Sequence, residues 1–315
     1  MYPPTDAQLS TRSVERPSKT HGGFEYLRAV LELTKLRITA AVTLTTATGY
    51  FLASGAFEVR MWLPLLGVFL LACGSAALNQ WQERGLDARM KRTCRRPIPS
   101  GRIEPSWALF VSVVLMLAGL FCLTSVTGHA QTLLVLGLFA LVWYNGVYTY
   151  LKRITAFAVV PGALIGAVPP CMGYVSAGGN LGDPEILLVA LFFFVWQIPH
   201  FWLLLLMLGD EYEEAGLPTV TDKFSQAQLV RITFVWILAT AVGGVAFPAL
   251  DHVEGGFAWS VGLVAASIWL ALQATRILCV GVGDDTDPPV RRAFRQVNAF
   301  ALMVMVCLSM GALGV

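Results

Sequence analysis

Apolar residues along this chain fall in long runs separated by short polar connections. A helix crossing a bilayer needs about 20 mainly apolar residues, because a rise of about 1.5 Å per residue must cover roughly 30 Å of hydrocarbon. Nine segments meet that demand, at 38–55, 61–80, 107–127, 131–149, 156–177, 185–208, 229–249, 257–278 and 297–315. The pattern predicts an all-α, polytopic membrane protein, a bundle of about nine transmembrane helices within residues 31–315. Residues 1–30 hold prolines, serines, threonines and mixed charges without an apolar core, which predicts a disordered cytoplasmic tail.

Charge supports this division. Only 13% of residues are charged and 56% are hydrophobic, against roughly a quarter charged in an ordinary soluble domain. Of the 22 lysines and arginines, 21 lie in alternate connections, leaving Arg60 alone on the other side. With nine spans, the excess of basic residues on the cytoplasmic side places the N-terminus inside and the C-terminus outside. The expected location is therefore an integral position in a bacterial cytoplasmic (inner) membrane. The six cysteines lie singly, with no spacing suited to a zinc site or a disulfide framework.

The chemistry sits in two polar connections at the cytoplasmic face. Asn79, Glu83 and Asp87 follow the second span at spacings of four, so a continuing helix puts their oxygens on one face. Carboxylates beside an amide oxygen suit magnesium, a hard ion that binds oxygen and bridges to phosphate. Arg92 and Arg96 come next in the chain, and Lys35 and Lys152 lie at the same face; all four are candidates to neutralise a diphosphate. The ordinary alternative for each is a topology-determining cation. The second connection carries Asp210, Glu211 and Glu214 and offers a second group of metal ligands, although alone it reads as a solubilising helix end. Within the sixth span, Gln197 and His200 flank Pro199 in apolar surroundings, where polar groups need a partner or a purpose.

These residues resemble the intramembrane prenyltransferases related to ubiquinone-pathway enzymes. The broad resemblance is an Asn-x-x-x-acid-x-x-x-Asp run with a second acidic connection four spans later. A narrower resemblance, to the haem O synthases that farnesylate protohaem IX, is carried by several motifs. These are Leu33-Thr34-Lys35, Met90 to Thr93 with Arg96-Pro97-Ile98-Pro99-Ser100-Gly101-Arg102, Tyr148 to Arg153, and Trp196-Gln197-x-Pro199-His200-Phe201. Three departures are Glu83 in place of the middle Asp, Arg95 in place of a common Asn, and the Ile154–Ala158 stretch.

The resemblance implies two magnesium ions, farnesyl diphosphate as donor and haem B as acceptor. The metals are assigned to Asn79, Glu83 and Asp87 on one side and to Asp210, Glu211 and Glu214 on the other. The diphosphate is assigned to Lys35, Arg92, Arg96 and Lys152, and Gln197 with His200 to the acceptor pocket. A downstream haem-modifying enzyme is a further expected partner, and no nucleic acid is. Two other readings stay open at this stage: prenylation of an aromatic quinone precursor by the same chemistry, and a secondary transporter, whose binding groups belong near mid-membrane.

We expect a reporter active only in the cytoplasm to signal when fused after Gly101 and to be silent after Gly179. The reverse pattern would invert the topology.

Overall fold

The computed structural model describes residues 23–214, 216, 218, 223–249, 257–279 and 288–314; for residues 210–213, 257, 258, 279 and 288 it describes the backbone alone. Helices α1 (Gly23–Leu33), α2 (Leu36–Ser54), α3 (Trp62–Asp87), α4 (Pro105–Thr124) and α5 (Ala130–Leu141) are followed by a wide-turn segment, Val142–Tyr148. Then come α6 (Thr149–Leu151), α7 (Val159–Ser176), α8 (Pro184–Glu214), α9 (Gln226–Ala246), α10 (Phe257–Ala274) and α11 (Pro288–Ala312). There is no strand among the described residues.

Eight stretches are long and apolar enough to cross a bilayer, beginning with Val59–Asp87 and ending with Pro289–Ala312. The ninth expected span is α2, 19 residues long, which at 1.5 Å per residue reaches about 28 Å. Its apolar character is diluted by Thr39, Thr43, Thr45, Thr46 and Thr48, each of which donates its hydroxyl to a backbone carbonyl three or four residues earlier. That internal pairing lets threonine sit in an apolar setting. The chain is an integral membrane protein, and side chains such as Phe110, Leu117, Phe121, Leu191 and Val242 face outward, as lipid-contacting residues do.

Several elements exceed their predicted extents. Helix α3 continues to Asp87 and α8 to Glu214, because Gln, Glu and Arg sustain a helix once it is nucleated in the membrane. Neither Gly85 nor Pro199 interrupts them. Helix α11 starts at Pro288, where Val290, Ala293 and Val297 bury one face while Arg291, Arg292 and Arg295 remain exposed. Of the expected tail, residues 1–22 lie outside the described residues. From Gly23 the chain is helical, because Ala29 and Leu33 pack on Ala77, Ile98, Ile103 and Ala108.

Helix α3 packs on α4 and α2 on α7; α8 joins α7 to α9, and α11 closes the bundle against both α2 and α8. Lipid tails are as apolar as leucine, so close backbone approach has to hold these pairs together. It does so through small residues. A Cβ on Gly49 would overlap the Pro170 carbonyl oxygen, and one on Gly173 the Thr46 carbonyl oxygen. In the other pair, Gly74 lies against the Ser112 carbonyl and Gly119 against the Leu71 backbone.

Gly173→Ala is therefore expected to destabilise the protein by about 1–3 kcal/mol. Gly262→Ala, where an added Cβ meets nothing within 4 Å, is expected to be neutral or slightly stabilising. Thermal unfolding in detergent checks both.

Candidate active site

The last two turns of α3 carry three buried polar side chains on one face, Asn79 (2% exposed), Glu83 (4%) and Asp87 (3%). Burying carboxylates without partners is costly, and the surrounding chain supplies cations from three separate places. Lys35 Nζ donates to Asn79 Oδ1 at 3.2 Å. Lys152 Nζ lies 2.5 Å from Glu83 Oε1. Arg96 Nη1 reaches both oxygens of Asp87, at 2.7 and 2.8 Å. Six of the predicted site residues, Asn79, Glu83, Asp87, Lys35, Arg96 and Lys152, thus form one cluster.

Local structure explains why these cations arrive. Lys35 has φ 51°, a left-handed conformation between α1 and α2, which is unfavourable by about 1 kcal/mol for a residue with a Cβ. The junction is pinned by Gln80 of α3, whose Nε2 donates to the Glu32 and Leu33 carbonyls at 3.1 and 2.9 Å and so terminates α1. Arg96 is brought back by Thr93, whose hydroxyl donates to the Asp87 carbonyl at 2.9 Å. Arg102 ties the same loop to α1 through Glu32 Oε2 at 2.6 Å.

Lys152 is placed by the wide turn. In Val142–Tyr148 the helix opens by one residue, so that the Thr149 amide donates to the Tyr144 carbonyl five residues back. The segment is clamped to α3 by Asn145: Ser75 Oγ donates to Asn145 Oδ1 at 2.7 Å, Asn145 Nδ2 to the Ser75 carbonyl at 3.0 Å, and Gln82 Nε2 to the Asn145 carbonyl at 3.0 Å. Thr149 Oγ1 then accepts from Asn79 Nδ2 at 3.2 Å, and Lys152 lies 5.6 Å from the centre of the Tyr148 ring.

Sequence reasoning missed Asn145, Gln82 and Thr149, and also Asn298, which meets His200. Asn145 and Asn298 carried a readable signal: each is an amide within an apolar span, the same oddity that marked Gln197.

The cluster's electrostatics suit an incoming anion. Burial, followed by the Arg96 and Lys152 charges, pushes the Lys35 ammonium down to about 7, against the pull of Glu83 and Asp87. Negative charge placed among these three cations reverses that bias. Glu83 Oε1 accepts no hydrogen bond although Lys152 Nζ is close; the approach is not along a hydrogen-bonding direction. A buried carboxylate oxygen with spare coordinating capacity, beside Asp87 and the Asn79 amide, fits a hard divalent ion that completes its shell with water and phosphate. Among the described residues no three acid, histidine or cysteine side chains enclose a metal.

Of the second acidic connection, Asp210 and Glu211 stand on the backbone of the last turn of α8, and their side chains lie outside the described residues. Glu214 is exposed and forms an ion pair with Lys91 at 3.4 Å, which joins the two polar connections. Arg92 is exposed on its loop. Gln197 packs its amide oxygen against Gly166 of α7. His200 faces α11, with Nδ1 2.7 Å from Asn298 Oδ1.

The many-helix bundle thus carries a buried oxygen stripe and a group of cations together at one end. Among the solved structures that share its fold are two UbiA homologues. One is a UbiA homologue from Aeropyrum pernix K1, with TM-score 0.70 and 16% identity over 86% of this chain and 97% of that one. The other is a UbiA homologue from Archaeoglobus fulgidus bound to GPP and Mg2+, with TM-score 0.61 and 12% identity over 91% and 100%. Residues 42–280 match the UbiA prenyltransferase family, and the chain belongs to that family.

Its relatives narrow the comparison. The chain is 43% identical over 288 residues to the protoheme IX farnesyltransferase of Oleidesulfovibrio alaskensis, covering 90% of this chain and 95% of that one. It is 35% identical over 309 residues to that of an Anaeromyxobacter species, covering 98% and 99%.

Removing one partner of the Lys152–Glu83 pair leaves a buried charge alone. Lys152→Met is expected to lower stability by about 3–5 kcal/mol. Adding Glu83→Gln to it is expected to recover most of that loss, a non-additivity that a double-mutant cycle of unfolding measurements reads directly.

Proposed function

We propose that this chain is a magnesium-dependent enzyme that moves the farnesyl group of farnesyl diphosphate to a vinyl group of haem B, forming haem O. The observation that carries the reading is the buried Asn79–Glu83–Asp87 stripe ringed by Lys35, Arg96 and Lys152. The named relatives supply the donor and acceptor, and the GPP- and Mg2+-bound homologue supports a metal-held prenyl diphosphate on this fold.

The reaction breaks the allylic carbon–oxygen bond, and diphosphate leaves with the bonding pair. The vinyl π electrons form the new carbon–carbon bond to the allylic carbon. Water then adds to the cation left beside the porphyrin, and one proton is released. Magnesium, with two ions expected, supplies neutralisation of the diphosphate when held by Asn79, Glu83 and Asp87 on one side and Asp210, Glu211 and Glu214 on the other.

The chain's own side chains do the remaining work. Lys35, Arg96 and Lys152, with Arg92 from the same loop, face the phosphate oxygens on which charge builds. Because they are fixed by Gln80, Thr93 and Asn145 before substrate arrives, they stabilise the transition state without reorganising. The apolar walls between α3, α7 and α8 hold the prenyl tail and keep water from the allylic cation until the bond has formed. Gln197 and His200 line the acceptor's side. The active face is the cytoplasmic one of a bacterial inner membrane, with the N-terminus inside, and the product passes to a haem-modifying enzyme.

Purified protein incubated with magnesium, farnesyl diphosphate and haem B is expected to yield hydroxyethylfarnesyl haem by mass spectrometry. Asp87→Ala is expected to lower kcat/KM by about 10²–10³ while the protein stays folded, and Glu83→Asp to stay within about tenfold of wild type. Prenylation of 4-hydroxybenzoate with haem B untouched would overturn the acceptor assignment. Full activity of Asp87→Ala would overturn the metal site.

A further inference from the structure

Helix α1 has three faces, and the packing already described accounts for one of them. Ala29 and Leu33 share the face that meets Ala77, Ile98, Ile103 and Ala108. At about 100° per residue, Glu25, Arg28 and Glu32 fall within about 60° of one another on a second face and carry all of the helix's charge. Phe24, Leu27 and Leu31 fall within about 60° of one another on the third. They are 80%, 54% and 42% exposed, so the described residues give them little cover. Residues 1–22 offer only Met1, Tyr2, Leu9 and Val14 as large apolar side chains, poor material for covering such a stripe.

The level at which α1 lies identifies what does cover it. Its inner face meets Ala77, two residues before Asn79, and Ala108, in the first turn of α4, and Trp81 joins the same cluster. Trp107, next to Ala108, is exposed on the outer surface. Tryptophans gather where hydrocarbon gives way to headgroups, so α1 lies at that boundary. The apolar stripe also runs on into the outward side of α2, where Ile38 and Leu44 are exposed. A helix held at that level with separate polar and apolar faces lies flat in the membrane surface.

The last turn of α1 also sets Lys35. The Leu31 carbonyl accepts from the Thr34 hydroxyl at 3.1 Å, and the Glu32 carbonyl from the Lys35 amide at 3.3 Å. Lys35 is in the left-handed region, a conformation that persists only while its surroundings enforce it. Without that restraint the junction relaxes and Nζ leaves the Asn79 amide.

We propose that α1 is an in-plane membrane helix, with Phe24, Leu27 and Leu31 embedded in the lipid, and that this contact holds Lys35 in the donor site. The link to Lys35 rests on the donor reading of the cluster; the membrane contact does not. A prenyl diphosphate has an apolar tail and a charged head and partitions to the same boundary, so the phosphate end of the site is complete at the level where its substrate arrives.

The test places a nitroxide amino acid at Leu27, Leu31 or Arg28, one per sample, in full-length protein in lipid nanodiscs. EPR power saturation compares access to oxygen, which concentrates in hydrocarbon, with access to a water-soluble nickel chelate. The labels at Leu27 and Leu31 are expected to favour oxygen and the label at Arg28 the chelate. Equal chelate access at all three positions overturns the membrane contact, and so do immobilised labels at 27 and 31 shielded from both reagents, which mark a protein neighbour. Ligand binding and turnover are then measured for Phe24→Ser/Leu27→Ser/Leu31→Ser. This variant is expected to bind farnesyl diphosphate about tenfold more weakly, while haem B affinity stays within about twofold. Phe24→Leu/Leu27→Met/Leu31→Met, which keeps the stripe apolar, is expected to match wild type. Leu31→Ser alone gives the same comparison, with a loss of about threefold, if the triple variant does not fold. Wild-type affinity for farnesyl diphosphate in the folded serine variant overturns the link to Lys35. Wild type that binds no farnesyl diphosphate overturns the donor reading and that link with it, and the membrane contact is then decided by the label depths.

Discussion

Two buried carboxylates at the end of one membrane helix have to be neutralised, and much of the local architecture follows from that need. Glu83 and Asp87 are ionisable groups in a setting with little water, where an uncompensated charge is worth several kcal/mol against folding. Their counter-charges come from the α1–α2 junction, from the loop after α3 and from the end of the fourth span. The docking of α1, the return of the loop and the wide turn can each be read as the means of delivering one cation. Three cations against two carboxylates leave the cluster positive when all are ionised, so the requirement that stabilises the fold also prepares the site for an anion.

The helices must be placed closely for such short contacts to hold. In lipid there is no hydrophobic force between apolar helices, so their separation is set by what lies at the contact. Glycines at 49 and 173 let α2 meet α7 backbone to backbone, and Gly74 and Gly119 do the same for α3 and α4. Helix α11 then locks α2 to α8, with Ser309 meeting Thr48 at 3.1 Å and Trp196 Nε1 donating to the Val297 carbonyl at 3.2 Å. One rigid frame therefore carries both the oxygen stripe of α3 and the aromatic pocket of α8.

Much of this was legible in the chain itself. Spans declare themselves by length and apolarity, and Asn79, Glu83 and Asp87 share a face because a helix repeats nearly every four residues. What could not be read was pairing across distance. Nothing in the local pattern says that Lys152 belongs to Glu83, about 70 positions away, or that Arg96 and not Arg92 reaches Asp87. Those matches depend on the wide turn and on Thr93, neither of which has a periodicity to betray it. The helical start at Gly23 was hidden for a related reason: Ala29 and Leu33 are too few to form a span, and they acquire a partner only when Ile98 and Ile103 fold back onto α3. Asn298 was hidden for the same reason, since it meets His200 from about 100 positions further along the chain.

The wide turn at Val142–Tyr148 also governs how this span can drift over generations. Each residue gained or lost in a helix rotates everything beyond it by about 100° yet changes its height by only about 1.5 Å. A deletion here leaves a segment from Ala130 onward that is still apolar and still long enough to cross, so membrane insertion does not select against it. The same deletion swings Thr149 and Lys152 off the face they share with α3. Hydropathy alone therefore cannot register a length change that disconnects the charge cluster, and in this part of the chain the fold depends more strictly on spacing than on composition.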